Sequence, residues 1–249
     1  MEEAVMRKFA VALAIVAGLS TAAPAQETNI SVDGSIDALS GYVWRGGIIG
    51  SDEALVLQPS LTFGLGESGV SLNIWGSGFV MDRSAPKALD GADELDFTLG
   101  YDTSVGEDGK VGLSIGFIEY RFPSADASSN HSEEIYGGLS FDHQLAPSIT
   151  VYYDFGLMDD YYVTAGIGPE FPLSDSDTAP VLGLGASVGI SGDKYGDSAG
   201  FNDVTLTASL GFARGNVSFA PFIGFSYADD GVNVDNSSFW GGISVGFSK

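Results

Sequence analysis

The stretch VTLTASLGFARGNVSFAPFIGFSY, residues 204–227, alternates apolar and polar residues on both sides of a single break. Val204, Leu206, Ala208, Leu210 and Phe212 alternate with Thr205, Thr207, Ser209 and Gly211. After Ala213-Arg214-Gly215-Asn216 the apolar positions resume at Val217, Phe219, Pro221, Ile223, Phe225 and Tyr227. Successive side chains of a strand point to opposite faces, so a period of two predicts a hairpin with one apolar and one polar face. In a soluble sheet the apolar face packs on a second layer. In a membrane barrel it meets lipid, and the small polar face lines the interior.

The pattern continues along the chain. Strand-like segments fall near 34–46, 53–65, 69–81, 93–104, 110–122, 133–145, 147–157, 160–172, 180–191, 201–213, 215–228 and 237–248, with no helix-period stretch longer than a turn or two. Each is about as long as a tilted strand needs to be to cross hydrocarbon, roughly ten residues, against about five or six in soluble sheets. The connections alternate as well. GES, VGEDG, AP and RG are short, whereas DRSAPKALDGA, PSADASSNHS, SGDKYGDSAG and ADDGVNVDNS are longer and polar. Short turns at one end and long loops at the other are the outer-membrane pattern. Three connections depart from it: GIIGSD and GLMDD are short for the long side, and PLSDSDTA is long for the short side.

The two faces agree with this division. Leu95, Phe97, Leu99 and Tyr101 oppose Glu94, Asp96 and Thr98; Leu182, Leu184, Ala186, Val188 and Ile190 oppose Gly183, Gly185, Ser187 and Gly189. Glu119 and Arg121 share an apolar parity, at the outer end of their segment, where the cost of a charge beside lipid falls away. Tyr152-Tyr153, Tyr161-Tyr162 and Phe239-Trp240 cluster near segment ends, as aromatic girdles do. The final FWGGISVGFSK alternates Ile243, Val245 and Phe247, and resembles the terminal aromatic signal read by the barrel-assembly machinery. Closure into a barrel removes the edges through which such long apolar strands would aggregate.

Composition narrows the reading further. The formal charge of −23 argues against nucleic acid as a partner, and the absence of cysteine excludes disulfides and thiolate chemistry. At the N-terminus Arg7-Lys8 precede the apolar run FAVALAIVAGL, and Ala23-Pro24-Ala25 offers small residues at a cleavage position. This predicts a signal peptide over 1–25 and a single mature domain over 26–249. The segment carries Glu2, Glu3, Arg7 and Lys8, so its removal leaves the charge unchanged.

Several stretches resemble the TorF-type porin family of bacterial outer-membrane barrels. SGYVWRGGI (Ser40 to Ile48) is similar to its first-strand Tyr-x-aromatic-Arg-Gly signature, and LNIWGSG (Leu72 to Gly78) to its Trp-Gly-Ser segment. DELDFTLGYD and EIYGGLSFDHQLAPSITVYYDFG resemble its acidic strand and the hairpin that follows. The resemblance implies an outer-membrane barrel with a channel role and brings no catalytic or substrate residues with it.

Candidate chemistry is sparse. NHSEE puts His131 beside Ser132, but adjacency on a predicted loop supplies neither a nucleophile–base contact nor an orienting third group, so no enzyme is expected. Acid pairs at Asp159-Asp160, Asp175/Asp177, Asp193/Asp197 and Asp229-Asp230 lack the spacing of a calcium loop and read as solvated turns. No cofactor or metal is expected. The informative set is the charge on the polar parity: Asp37, Arg45, Glu94, Asp96, Asp142, Asp154, Glu170 and Asp203. Seven acids against one base, lining a lumen, favour cations. Arg45 is expected on the first strand, paired with an acid such as Asp37.

The fold expected is therefore all-β, a transmembrane antiparallel up-and-down β-barrel of about twelve strands in the bacterial outer membrane. The function expected is passive diffusion of small solutes, with preference for cations. The alternatives are a non-conducting structural or surface-binding barrel, whose lumen is plugged by its own side chains, and a secreted soluble β-sandwich.

Overall fold

The computed structural model describes residues 30–49, 55–81, 94–106, 108–176, 178–196, 198–229, 231–232 and 236–249. The expected signal peptide and the polar connection over 82–92 lie outside them, as do Asp177, Asp197 and Asp230. The strands are β1 (Ile30–Leu39), β2 (Tyr42–Trp44), β3 (Gly47–Ile49), β4 (Leu55–Leu65), β5 (Val70–Met81), β6 (Glu94–Val105), β7 (Val111–Arg121) and β8 (His131–Phe141). They continue as β9 (Ser148–Asp154), β10 (Asp160–Ile167), β11 (Glu170–Pro172), β12 (Val181–Ser191), β13 (Gly200–Arg214), β14 (Val217–Ala228) and β15 (Ser237–Ser248).

Leaving out β2, β3 and the short β11, twelve strands form one closed antiparallel wall. Chain neighbours pair throughout, β10 pairs with β12, and β15 returns to pair with β1. The seam is tied to the last residue, since Val32 and Lys249 exchange both backbone hydrogen bonds at 2.9 Å. Phe247 lies opposite Gly34 across it, and a Cβ on Gly34 would come within 2.4 Å of the Phe247 ring. The fold is thus a closed barrel and not a sandwich of two packed sheets.

The alternating residues sort as their parity predicts. Leu206, Phe219 and Ile223 stand exposed on the outside, Ile223 at 67%, as do Leu99, Ile115, Ile135 and Val151. An apolar belt this continuous, with no second layer over it among the described residues, is suited to hydrocarbon and not to water. The outward charges Glu119 and Arg121 form an ion pair with each other at the outer end of β7.

The three irregular connections have structural reasons. β1 stops at Leu39, and the chain then turns inward as the β2–β3 hairpin, so the first connection is not short. Residues 155–159 stay compact because the Asp154 carboxylate accepts the Gly156 and Met158 amides at 2.9 and 3.1 Å. The eighth connection is shorter than it looks, because the Leu173 amide donates to the Pro180 carbonyl at 2.8 Å and carries the β11–β12 pairing past the end of β11.

Candidate functional site: an inward hairpin across the lumen

The hairpin β2–β3 pairs Tyr42 with Ile49, Val43 with Ile48 and Trp44 with Gly47. That leaves Arg45 and Gly46 as a two-residue turn, with φ of 48° and 80°. Positive φ at both central residues is the type I′ signature, which matches the twist of a hairpin and favours glycine. The base of the hairpin packs in the apolar cluster of the molecule: Leu39, Tyr42 and Val56, flanked by Trp44, Ile49, Trp75 and Phe222. This core lies inside the barrel, so the lumen is built around a folded element.

The tip crosses to the far wall. Arg45 Nη2 meets Glu134 Oε2 of β8 at 2.5 Å, with side chains 7% and 0% exposed. Tyr120 donates to the other oxygen of Glu134 at 2.9 Å. The guanidinium also lies 4.4, 5.1, 4.6 and 4.9 Å from the ring centres of Trp44, Tyr152, Tyr162 and Tyr195, within cation–π range. The backbone of the tip is held as well: Asn202 Nδ2 donates to the Arg45 carbonyl at 2.8 Å and Ser226 Oγ to the Gly46 carbonyl at 2.9 Å. A Cβ on Gly46 would fall 2.2 Å from Asp203 Cβ, so the turn is pressed against β13.

Arg45 is therefore not on the first wall strand, and its partner is Glu134 rather than Asp37. The reason is that the chain leaves the wall after Leu39, so that Arg45 falls in the tip turn of the β2–β3 hairpin inside the lumen. Asp37 does lie on the inward parity of β1, opposite Gln58, and its Oδ1 is buried without a hydrogen bond. Glu94 accepts the Tyr42 hydroxyl at 3.0 Å, and Asp96 lies against Glu94 with a buried Oδ1 that has no hydrogen-bond partner.

Asp203 is buried, accepting Tyr162 Oη at 2.8 Å and Thr205 Oγ1 at 3.2 Å. Asp154 is buried too, taken up by Ser132 Oγ at 2.8 and 2.7 Å and by its own turn. Asp142 and Glu170 stand exposed at the opposite, short-turn end, in the turn after β8 and at the start of β11. So Glu94, Asp96 and Asp203 gather with Arg45 around the hairpin, Asp37 lies inward on β1, and Asp142 and Glu170 stand apart.

Four participants escaped the sequence reading. Glu134 has the parity of Tyr136 and Gly138, opposite outward Ile135 and Leu139, so alternation could have found it. Asp102 likewise follows Asp96 and Thr98 inward and lines a cavity of about 390 Å³ near the short turns, with Ser104, Ser114, Ser140 and Thr150. Asn202 points inward beside Asp203 because the register slips there: Gly189 pairs with Asp203 and Ile190 with Phe201. Such a bulge aims two successive side chains to one side. Its trace in the sequence is the change of apolar parity between Phe201 and Val204. Tyr195 sits in a connection, where period two says nothing.

His131 and Ser132 fall on opposite faces of β8. His131 is exposed beside Asn130 Oδ1, while Ser132 is buried against Asp154, so the two cannot act on one substrate atom. Among the described residues no cluster of His, Cys, Asp or Glu is arranged to hold a metal.

A second cavity, of about 370 Å³, adjoins the hairpin tip and is lined by Trp44, Arg45, Tyr152, Thr164, Thr205 and Trp240 among others. The interior thus has a hydroxyl-lined half toward the short turns and a half narrowed by charge, aromatic rings and the hairpin.

A closed all-β barrel of twelve antiparallel strands with this division of faces resembles the outer-membrane porins in architecture. The chain belongs to the bacterial family described as "Bacterial protein of unknown function (Gcw_chp)", which it matches over residues 22–248. No curated protein sequence matches it. Among solved structures it is similar to the KdgM porin, at 11% identity and a TM-score of 0.51, over 88% of this chain and 99% of that one. KdgM in complex with disordered oligogalacturonate matches at 13% identity and 0.50, over 88% and 99%. The NanC porin matches at 12% identity and 0.50, over 88% and 98%. At such identities the likeness is one of fold.

Proposed function

We propose that this protein is an outer-membrane channel through which small solutes diffuse passively, with cations preferred, and that the β2–β3 hairpin is its constriction. The observation that carries the reading is the pairing of an apolar outer belt with a polar interior that the hairpin narrows. The acids Glu94, Asp96, Glu134 and Asp203 lie around the hairpin and its single guanidinium, and excess negative charge in a narrow aqueous path lowers the barrier for cations. Outer-membrane lipid surrounds such a barrel, and the barrel-assembly machinery inserts it. The motif resemblance to TorF-type porins supports the same role. The acidic oligogalacturonate bound by KdgM is not carried over, because the charge around this constriction has the wrong sign for a polyanion.

A second reading is favoured by one feature: the Arg45–Glu134 contact is buried at both ends, which suits a permanent plug in a structural barrel. Solute flux separates the two. Proteoliposomes holding the full mature chain should swell in small cationic solutes faster than in anionic ones of equal size. Swelling no faster than that of empty liposomes would leave the plug.

A further inference from the structure

The guanidinium of Arg45 is held as a ligand is held. Its carbon lies 5.1, 4.6 and 4.9 Å from the ring centres of Tyr152, Tyr162 and Tyr195, its Nη1 donates to the Tyr195 hydroxyl at 2.5 Å, and its charge meets a fully buried carboxylate whose second oxygen is already satisfied by Tyr120. Three of those rings and the carboxylate belong to the wall and to the connection after β12, not to the hairpin: Tyr152, Tyr162, Tyr195 and Glu134. The rings pack on one another, with centroids of Tyr152 and Tyr162 at 6.2 Å and of Tyr162 and Tyr195 at 6.3 Å, so the cage does not depend on Arg45 for its shape. It opens on the cavity of about 370 Å³, which gives room for the remainder of a small molecule.

We propose that this cage is a binding site for solutes bearing a guanidinium or alkylammonium group, and that Arg45 is its tethered occupant, displaced when a free cation of that shape arrives. Aromatic faces with a desolvated carboxylate select an organic cation over an anion or a neutral solute. The site discriminates against small inorganic cations because these remain strongly hydrated and gain little from ring faces. Displacement needs only the Arg45 side chain to swing into that cavity, because the tip backbone stays held to the wall by the hydrogen bonds from Asn202 and Ser226 and the hairpin base stays packed. The inference rests on the channel reading only in that the lumen is the solute's route.

The test is binding of methylguanidinium to the folded full mature chain in detergent, followed by the intrinsic tryptophan fluorescence, to which Trp44, 4.4 Å from the Arg45 guanidinium, and Trp240, in the wall of the same cavity, contribute. N-methylurea serves as the neutral isostere, and gel mobility before heating verifies folding. Arg45→Ala, which vacates the cage, should bind methylguanidinium saturably. The unaltered protein should also bind it, about tenfold more weakly or worse, because its own arginine competes. Adding Glu134→Gln to Arg45→Ala should weaken binding about tenfold or more. N-methylurea should give no saturable signal.

Absence of saturable binding by folded Arg45→Ala, or equal binding of N-methylurea, overturns the proposal. If Arg45→Ala fails to fold, the unaltered protein decides: a saturable response to methylguanidinium and none to N-methylurea supports displacement, and no response contradicts it. Planar-bilayer current reads the other question separately. Binding without conductance removes the channel and keeps the cage; conductance without binding removes the cage and keeps the channel.

Discussion

Arg45 and Glu134, 89 residues apart in the chain, meet inside the barrel at 2.5 Å and tie the tip of the β2–β3 hairpin to β8. From β1, where the hairpin departs, β8 is five strands round a wall of twelve. The contact spans the lumen, and much of what is expected of the protein turns on it. Glu134→Ala would leave a buried guanidinium without its anion, a loss of roughly 3–5 kcal/mol. Glu134→Gln keeps an acceptor for Tyr120 and Arg45 and should lose less. Urea titration followed by the mobility shift of the unheated protein measures the difference, and equal midpoints for both variants and the parent would show the contact to be slack.

Gly46 provides an independent handle on the hairpin. It has φ of 80°, and its missing Cβ makes space for Asp203. Gly46→Val should expel the tip from β13 and raise single-channel conductance. Gly215, in the turn between β13 and β14, also has positive φ at 60°, but a Cβ there would meet nothing within 4 Å. Gly215→Ala should therefore show the backbone penalty of about 1–2 kcal/mol and leave conductance unchanged. Equal conductance in the two variants would mean that the hairpin does not narrow the path.

The assignment of the outer face to lipid is open to direct substitution. Ile223 is outward and near the middle of β14, while Thr207 on β13 is inward. Ile223→Arg should destabilise the barrel in bilayers by about 2–4 kcal/mol, the midplane penalty for a base. Thr207→Arg should fold and shift selectivity away from cations. If both arginines are tolerated alike in refolding into liposomes, the outer face is not where the account puts it.

A smaller effect is expected from pH at the outer connections. Asp159 accepts the Tyr153 hydroxyl at 2.9 Å and lies 3.5 Å from Lys194 Nζ, and these contacts hold its carboxyl below the usual carboxylate range. A carboxyl whose folded value is lowered contributes above its unfolded value of about 4 and loses that contribution as pH falls through the folded one. Amide exchange over residues 155–159 and 192–196 should thus quicken, after correction for intrinsic rates, only on acidification below about pH 4. Asp159→Asn should show the faster exchange already at neutral pH. Unaltered exchange in that variant would mean that the turn is held by Asp154 and Asp160 without help.

The wall was legible in the sequence because a barrel strand writes its two environments into alternate residues. Segments such as Leu206–Phe212 and Val217–Tyr227 needed no tertiary information to be placed. The hairpin was not legible. SGYVWRGGI keeps the period of two straight through the end of β1, and the turn inside it depends on Arg45 taking a positive φ, which no propensity favours for arginine. The same limit hid Asn202, since a bulge shows only as a change of parity, and Tyr195, whose place is set by the rings it packs against. Glu134 was within reach of the alternation that placed its neighbours.

The reversal potential of the reconstituted full mature chain under a KCl gradient tests the central claim most directly. A channel narrowed by this acid-surrounded hairpin should conduct, with a reversal potential of the sign set by K⁺, and Glu134→Gln should move it toward zero. No conductance, or a reversal potential of the sign set by Cl⁻, would contradict the account.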